Sequence, residues 1–212
     1  MEAWRIVASL VFAFALGSVP FAVMASRLFF RTDIREHGSG NPGATNVMRV
    51  FGPAAGIGVL VLDFAKGLAG VLIARLLVSP FRGDGHDWVL VGAALAAIAG
   101  HSFSPFIGFR GGKGMAAAAG AIGVLMPGAF GVLALTFAVT LALARTVSLS
   151  SVLLAFELPV LMLVMYGDRT PLVLFGVAAA ALVLWRHHAN IRRILRGEEP
   201  RLGASRMGEA RS

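Results

Sequence analysis

The sequence contains no cysteine among its 212 residues. Disulfide bonds, thiolate nucleophiles and cysteine-ligated metal centres are therefore excluded. Charged side chains are also scarce, at 14% of the residues, whereas 57% of the residues are hydrophobic and the mean hydropathy is +0.79. Because soluble domains carry about 25% charged residues, this composition predicts an integral membrane protein.

Long apolar stretches follow one another along the chain, with no internal repeat and no Pro/Ser-rich linker between them. A helix needs about 20 apolar residues to cross a hydrocarbon layer of ~30 Å. The first stretch is too long for a removable signal peptide and lacks the small-residue cleavage site of one. We predict a single domain over residues 1–199, with spans at residues 4–30, 53–78, 87–107, 115–144, 147–166 and 171–185.

The stretch 115–144 decides whether there are six or seven spans. Met-Pro-Gly at positions 126–128 interrupts it, so it forms either one overlong helix or two shorter ones. Lys and Arg concentrate in cytoplasmic loops. If residues 115–144 form two helices, Arg35, Arg110 and Arg145 lie on the same side as the Arg-rich C-terminal segment, and if they form one helix, the basic residues are divided between the two sides. The sequence therefore predicts an all-α membrane protein with seven transmembrane helices, the N-terminus outside and the C-terminus cytoplasmic.

The formal net charge of +8 would suggest nucleic acid as the partner of a soluble protein. Most of the basic residues, however, lie beside apolar spans, where they determine topology. We therefore expect a lipid bilayer and no nucleic acid as partner. Residues 200–212 carry no motif and are predicted to form a disordered basic tail.

Three polar segments interrupt the apolar pattern, and the seven-helix topology brings all three to one membrane face. They are residues 35–52, 100–114 and 185–199. Their glycines let backbone N–H groups approach a ligand closely, and the first two segments add four cations, Arg35, Arg49, Arg110 and Lys113. Glycine-rich backbone with fixed cations holds phosphate in many proteins, so we predict an anion site at the cytoplasmic surface. For either loop taken alone, a purely structural interpretation stays open, in which the glycines end helices at the membrane boundary and the arginines set the topology.

Other polar residues have two interpretations each. Asp63 and Lys66 lie three residues apart in an apolar span, where charge is costly, and form either a structural ion pair or part of the site's floor. Glu157 has no obvious local partner and is interpreted as a packing residue of the bundle interior.

The chain has few histidines that could act as an acid or base, and the third polar segment contains one candidate. A helix there would place His187 and Asn190 on one side and turn Arg192 and Arg193 toward headgroups or water. His187 is then either an inert interfacial residue or a base or hydroxyl-binding group.

Several catalytic motifs are absent. Residues 107–114 are not a nucleotide P-loop, because Ile107 and Gly114 replace its first glycine and its final Ser/Thr. No set of His, Asp and Glu has metal spacing, and no G-x-S-x-G elbow occurs. We therefore expect neither a metal nor a cofactor, and ATP hydrolysis is not supported.

Four separated segments resemble the signature segments of the PlsY family, in the family's order: "GSGNPGATNVMR", "VLDFAKG", "GHSFSPFIGFRGGKG" and "RHHANIRR". The resemblance covers residues 16–199. It implies a seven-helix enzyme of the bacterial inner membrane whose active site faces the cytoplasm. That enzyme would transfer a fatty acyl group from acyl phosphate to the 1-hydroxyl of glycerol 3-phosphate, giving lysophosphatidic acid and inorganic phosphate. Handoff from an acyl-phosphate-forming enzyme, and to the next acyltransferase, would follow.

Carried over position by position, the resemblance implies catalytic roles for Ser39, Arg49, Lys113, His187 and Asn190. The first three would bind phosphate and the last two would position the acceptor. The substrate-binding residues would be Gly38, Gly40, Asn41, Gly43, Thr45, Asn46, His101, Ser104, Gly111, Gly112 and Gly114. Either His187 or a substrate phosphate oxygen would take the hydroxyl proton.

Two other classes of protein compete with this interpretation. A transporter of a phosphorylated solute would also need glycine-rich breaks and buried charge, but the polar segments share one face and no matching pair of broken helices occurs in two halves. A scaffold subunit without chemistry leaves the His/Asn segment unexplained. The H-x-x-x-x-D pattern of other glycerolipid acyltransferases is absent.

Overall fold

The computed structural model describes residues 2–79 and 84–203, which fold into helices and connecting turns. The helices are α1 (Ala3–Ser18), α2 (Phe21–Phe30), α3 (Ala44–Phe51), α4 (Pro53–Val78), α5 (Asp84–Ser102), α6 (Met115–Leu125), α7 (Pro127–Ala144), α8 (Val147–Tyr166), α9 (Thr170–Arg186) and α10 (His188–Leu195). Short 3-10 turns at Ile34–Glu36 and Pro105–Ile107 lie in the first two polar segments. The predicted all-α class is confirmed. Of the predicted tail, residues 204–212 lie outside the described residues.

The first predicted span is not one continuous helix. The chain breaks after α1, and Pro20 precedes the first residue of α2, because proline lacks a backbone N–H and disfavours helix for the residue before it. The break leaves the carbonyl of Val19 free to accept a hydrogen bond from Lys66 Nζ at 2.7 Å. Together the two helices still form an apolar unit of 28 residues.

The stretch 115–144 forms two helices, as one of the sequence alternatives predicted. Helix α6 ends at Leu125 and α7 begins at Pro127, with Met126 between them. Proline suits the first position of a helix, where its missing N–H costs nothing. The start of α7 lies beside the far end of α8, since a Cβ on Gly128 would contact the side chains of Met165 and Tyr166. Met115, at the start of α6, and Val147, just after the end of α7, line one cavity, so α7 runs back toward the end of the bundle where α6 began.

Five helical units among the described residues are long and apolar enough to cross a membrane, and a sixth joins them if α9 and α10, bent by 65°, count as one. Helix α6 has 11 residues, or ~16 Å at 1.5 Å per residue, which is shorter than the hydrocarbon layer. The membrane fold is confirmed in its helical class and in its several apolar spans. The count of seven stays a prediction.

Small residues let the helix backbones approach closely. A Cβ on Gly17 of α1 would collide with the carbonyl of Ala97 in α5, and one on Gly67 of α4 with the carbonyl of Ala117 in α6. Close packing at small residues is the usual way in which membrane helices associate. These contacts fix the helix ends that carry the polar segments.

Candidate active site

The first polar segment is held in shape by its own side chains. Asp33 Oδ2 lies 2.9 Å from Arg27 Nη2 and 2.7 Å from Arg35 Nη2, and hydrogen bonding from Arg35 holds the pKa of the Asp33 carboxyl well below its usual range. Arg35, counted from the sequence as a cation of the anion site, is therefore neutralised by Asp33 and does not line the cavity described below. Of the two predicted cations in this segment, Arg49 lines it.

Asn46 is the buried centre of the same loop. Its Nδ2 donates to the carbonyls of His37 at 2.9 Å and Ile34 at 3.2 Å, and its Oδ1 accepts from the N–H of Ser39 at 2.9 Å. Gly38 has φ +60°, and a Cβ there would collide with Asn46 Oδ1. Both residues were predicted to bind substrate. In the structure they fix the conformation of the loop that carries Ser39.

The second polar segment folds back onto the end of α5. The N–H groups of Gly111 and Gly112 donate to the carbonyls of Ser102 and His101, each at 3.1 Å. Gly114 follows with φ +83° and begins α6 directly after Lys113. The first N–H groups of a helix have no partner within it and favour anions, so this turn places Lys113 beside the positive end of α6.

Lys113 is linked to the third polar segment through Asn190. Lys113 Nζ donates to Asn190 Oδ1 at 2.5 Å, and Asn190 Nδ2 donates to Glu199 Oε1 at 2.6 Å. Ser148 Oγ donates to Glu199 Oε1 at 2.7 Å, and Arg193 Nε donates to Glu199 Oε2 at 2.6 Å. The chain Lys113–Asn190–Glu199 thus fixes which side of the amide faces the ammonium group.

Burial shifts the pKa values of the two ionisable side chains in this hydrogen-bonded series, Lys113 and Glu199. Burial lowers the pKa of Lys113 to about 8, so the ammonium form still dominates at pH 7. Burial acts to raise the pKa of Glu199, but hydrogen bonds from Ser148, Arg193 and Asn190 leave it below its usual value. The site therefore holds a charged lysine and a charged glutamate with an amide between them.

His187 lies at the break between α9 and α10 and is buried. Its Nδ1 lies 2.8 Å from the carbonyl of Val183. A carbonyl can only accept, so Nδ1 carries the hydrogen and Nε2 is the accepting nitrogen of the neutral ring. Burial lowers the pKa of His187 to about 4, and the imidazole is neutral at pH 7.

The three segments enclose one cavity of about 530 Å³. All five residues predicted to be catalytic line it: Ser39, Arg49, Lys113, His187 and Asn190. Eight predicted substrate-binding residues also line it: Gly40, Asn41, Gly43, Thr45, Asn46, His101, Gly111 and Gly114. The other three, Gly38, Ser104 and Gly112, do not line it; Ser104 and Gly112 line a much smaller cavity that shares Asp63 and His101 with it. Ser104 Oγ donates to the carbonyl of Ser18 at 2.6 Å.

The cavity walls are strongly cationic on balance. The basic side chains that line it are Arg49, Arg110, Lys113, Arg186 and Arg193, and the acidic ones are Asp63 and Glu199. Five positive and two negative side chains leave a formal excess of three positive charges. Such a cavity favours an anionic ligand.

The buried pair of α4 combines both interpretations made from the sequence. Lys66 Nζ lies 2.8 Å from Asp63 Oδ1, which confirms the predicted ion pair, and His101 Nδ1 lies 3.5 Å from the same oxygen. Asp63 and His101 also line the cavity, so the pair forms part of its floor. Glu157 has a partner that the sequence did not indicate, since Thr136 Oγ1 donates to Glu157 Oε1 at 3.0 Å.

Sequence reasoning misplaced one residue of the cavity and missed several others. Arg193 was expected to face headgroups or water, but it lines the cavity because Glu199 binds its Nε. Glu199, Ser148 and Arg186 were not singled out at all. Arg186 adjoins His187 in the third segment, and Glu199 ends that segment, so proximity to the motif was the one available signal.

Fold and site together define an integral membrane protein with a cationic cavity at one end of a helical bundle. Residues 7–197 match the family model for glycerol-3-phosphate acyltransferase, and the chain belongs to that family of acyltransferases. The predicted resemblance is thereby confirmed.

Individual relatives agree with this assignment. The chain is 46% identical over 191 residues to glycerol-3-phosphate acyltransferase of Listeria monocytogenes serovar 1/2a, covering 90% of this chain and 93% of that one. It is also similar to two solved structures of PlsY, an integral membrane glycerol 3-phosphate acyltransferase. The glycerol 3-phosphate form has a TM-score of 0.85 and 36% identity, over 93% of this chain and 96% of that chain. The lysophosphatidic acid form has a TM-score of 0.81 and 35% identity, over 93% and 95%.

Proposed function

We propose that the protein transfers a fatty acyl group from acyl phosphate to the 1-hydroxyl of glycerol 3-phosphate, yielding lysophosphatidic acid and inorganic phosphate. The observation that carries the proposal is the single cavity that joins cations to apolar side chains. Besides its cations, it is lined by Leu60, Phe109, Met115, Phe137 and Val147. Both substrates are anionic and one has a long acyl chain, so such a cavity suits the two together. The ligands named for the two PlsY structures support the same acceptor and product.

The proposed reaction is a direct transfer. The glycerol oxygen attacks the carbonyl carbon of the mixed anhydride, a new ester C–O bond forms, and the bond to the phosphate oxygen breaks with its electron pair leaving on phosphate. Because phosphate leaves readily, a covalent acyl-enzyme is unnecessary. Lys113, Arg49 and the first N–H groups of α6 would stabilise the charge that develops, while His187 and Asn190 would hold the acceptor near the carbonyl.

The donor is tested by offering the purified protein palmitoyl phosphate, palmitoyl-CoA or a palmitoylated carrier protein together with radiolabelled glycerol 3-phosphate. We expect lysophosphatidic acid from palmitoyl phosphate alone. Equal use of a thioester donor would overturn the proposed donor and leave the acceptor in place.

We expect the pH profile to show that a substrate phosphate oxygen, and not His187, takes the hydroxyl proton. Burial lowers the pKa of His187 to about 4, which makes its ring a weak base. A phosphate oxygen would give an ascending limb near its second pKa of ~6. The measurement is turnover of His187→Gln at saturating glycerol 3-phosphate across pH.

The variant should keep that limb and chiefly require more glycerol 3-phosphate. An ascending limb near pH 4 in the wild type, lost in His187→Gln together with most of the turnover, would instead identify His187 as the base.

Gly112→Ala should act mainly by weakening apparent substrate affinity. A Cβ on Gly112 would collide with the Nε2 side of the His101 ring, so the loop that carries Lys113 must shift. We expect the KM of a phosphate substrate to rise about 10-fold, measured by steady-state kinetics. Gly131→Ala is the control, because a Cβ there meets nothing within 4 Å and its φ is not left-handed. Equal effects of the two substitutions would contradict the proposed contact.

We further propose that residues 1–199 form one domain with seven spans in the bacterial inner membrane, with the N-terminus outside and the C-terminus and active site cytoplasmic. The break between α6 and α7 supports an odd number of spans. Handoff from an acyl-phosphate-forming enzyme, and to an enzyme that acylates the second hydroxyl, fits a site at the cytoplasmic surface.

Cysteine labelling tests this orientation directly, because the natural chain has no cysteine. Gly128→Cys should react with an impermeant thiol reagent added outside the cell. Ser205→Cys, in the segment outside the described residues, should react only after the membrane is opened. The reverse pattern would overturn the orientation.

A further inference from the structure

Arg186, the last residue of α9, forms a fork onto the second polar loop. Its Nε donates to the carbonyl of Gly112 at 3.1 Å, and its Nη2 donates to the carbonyl of Gly111 at 2.5 Å. The two N–H groups of the same glycines donate to carbonyls at the end of α5. Every backbone polar group of this glycine pair therefore has a partner within the protein, and Lys113 follows directly.

Two aromatic rings also lie beside the guanidinium group. Its central carbon lies 5.9 Å from the ring centre of Phe103 and 5.7 Å from that of Trp185, and these two rings lie 5.7 Å apart. Arginine can bind two acceptors through a planar fork while lying against aromatic rings, and lysine has no such fork.

We propose that Arg186 is a positioning residue of the transfer reaction: it holds the Gly111–Gly112 carbonyls so that Lys113 and the start of α6 face the cavity. Because Arg186 directly precedes His187, the same fork fixes the distance between the loop that carries Lys113 and the acceptor-binding segment. The proposal rests on the proposed function. Although Arg186 lines the cavity, its Nε and Nη2 donate to the two glycine carbonyls, and we assign it a positioning role and not the binding of the substrate phosphate.

Two substitutions separate this role from a direct charge on phosphate. Arg186→Lys keeps the charge and loses the fork, whereas Arg186→Gln loses both. If Arg186 positions the loop, the two variants should lose turnover alike, by about 10-fold or more, as expected for a small misplacement of reacting groups. Wild-type-like turnover in Arg186→Lys with a large loss in Arg186→Gln would overturn the proposal. Arg192, exposed on α10, is the matched control, and neither of the corresponding substitutions there should change turnover.

The alkaline limb of the pH profile gives a readout that a merely structural role would not move. Lys113 has a pKa of about 8 because it is buried, so turnover that needs its ammonium form should fall above that pH. The charged and titratable groups that influence Lys113 are Glu199, Arg193, Arg49, Arg186 and His187. Arg186→Lys leaves all these charges in place. A loosened loop exposes Lys113 to water, so the limb should move to higher pH in this variant.

Phe103→Leu provides a second variant that keeps Arg186 and removes one of the rings against its guanidinium group. It should show the same shift of the alkaline limb with a smaller loss of turnover. Lower thermal stability of Arg186→Lys and Phe103→Leu with unchanged turnover and an unchanged limb would overturn the proposal. A wild-type protein inactive with acyl phosphate would count against the proposed function and not against this contact.

Discussion

Lys113→Ala is expected to lower turnover by about 10²-fold or more, while the protein still inserts into the membrane and purifies. The Lys113 ammonium group lies in the cationic cavity beside the start of α6, where it can stabilise the phosphate that leaves. Removing such a charge removes stabilisation that exists chiefly in the transition state. The expected loss therefore lies mainly in turnover, measured as phosphate release at saturating substrates.

The fold should tolerate this change. Lys113 Nζ donates one hydrogen bond within the protein, to Asn190 Oδ1, and such a bond from a charged group is worth about 1.5–3 kcal/mol. Thermal unfolding of the purified variant measures this cost. Arg192→Ala removes a neighbouring cation that does not line the cavity and should leave turnover unchanged. Wild-type-like turnover of Lys113→Ala would exclude the residue from the site.

Arg49→Ala should have an effect of similar size, about 10²-fold in kcat/KM. Arg49, on α3, lines the same cavity. Its Nη2 also donates to the carbonyl of Pro200 at 3.3 Å, an exposed contact that should contribute little to stability. Arg49→Lys should recover part of the loss, because lysine binds phosphate as a point charge without the planar fork. If Arg49→Lys and Arg49→Ala were equally close to wild type, phosphate binding by Arg49 would be wrong.

The membrane spans were predictable because each needs about 20 consecutive apolar residues, and such a stretch can be recognised in the sequence without knowing its tertiary contacts. The span Pro53–Val78 has the predicted bounds, and so does Val147–Tyr166. The break at Met126 was predictable from proline together with the balance of basic loops. The break before α2 was missed although Pro20 is a local signal for it. The contact between Lys66 and Val19, 47 residues apart in sequence, could not be predicted from the sequence.

The sequence predicted the site residues whose side chains line the cavity. It did not predict the residues whose roles depend on ion pairs and hydrogen bonds with other protein residues. Arg35 looked equivalent to Arg49 in the sequence, yet Asp33 binds it. Arg193 was expected to face headgroups or water, yet Glu199 binds it at the cavity wall. Pairing of this kind depends on how the three segments converge. Arg186 was missed for the same reason, since its partners lie 74 and 75 residues away.

The central claim is that one cavity brings acyl phosphate and glycerol 3-phosphate together for direct transfer. The most direct measurement uses the purified protein in liposomes with palmitoyl phosphate, and follows phosphate release, lysophosphatidic acid and uptake of glycerol 3-phosphate in the same sample. We expect phosphate release only when glycerol 3-phosphate is added, in a one-to-one ratio with lysophosphatidic acid. Uptake of glycerol 3-phosphate without acylation would contradict the account and identify the protein as a transporter.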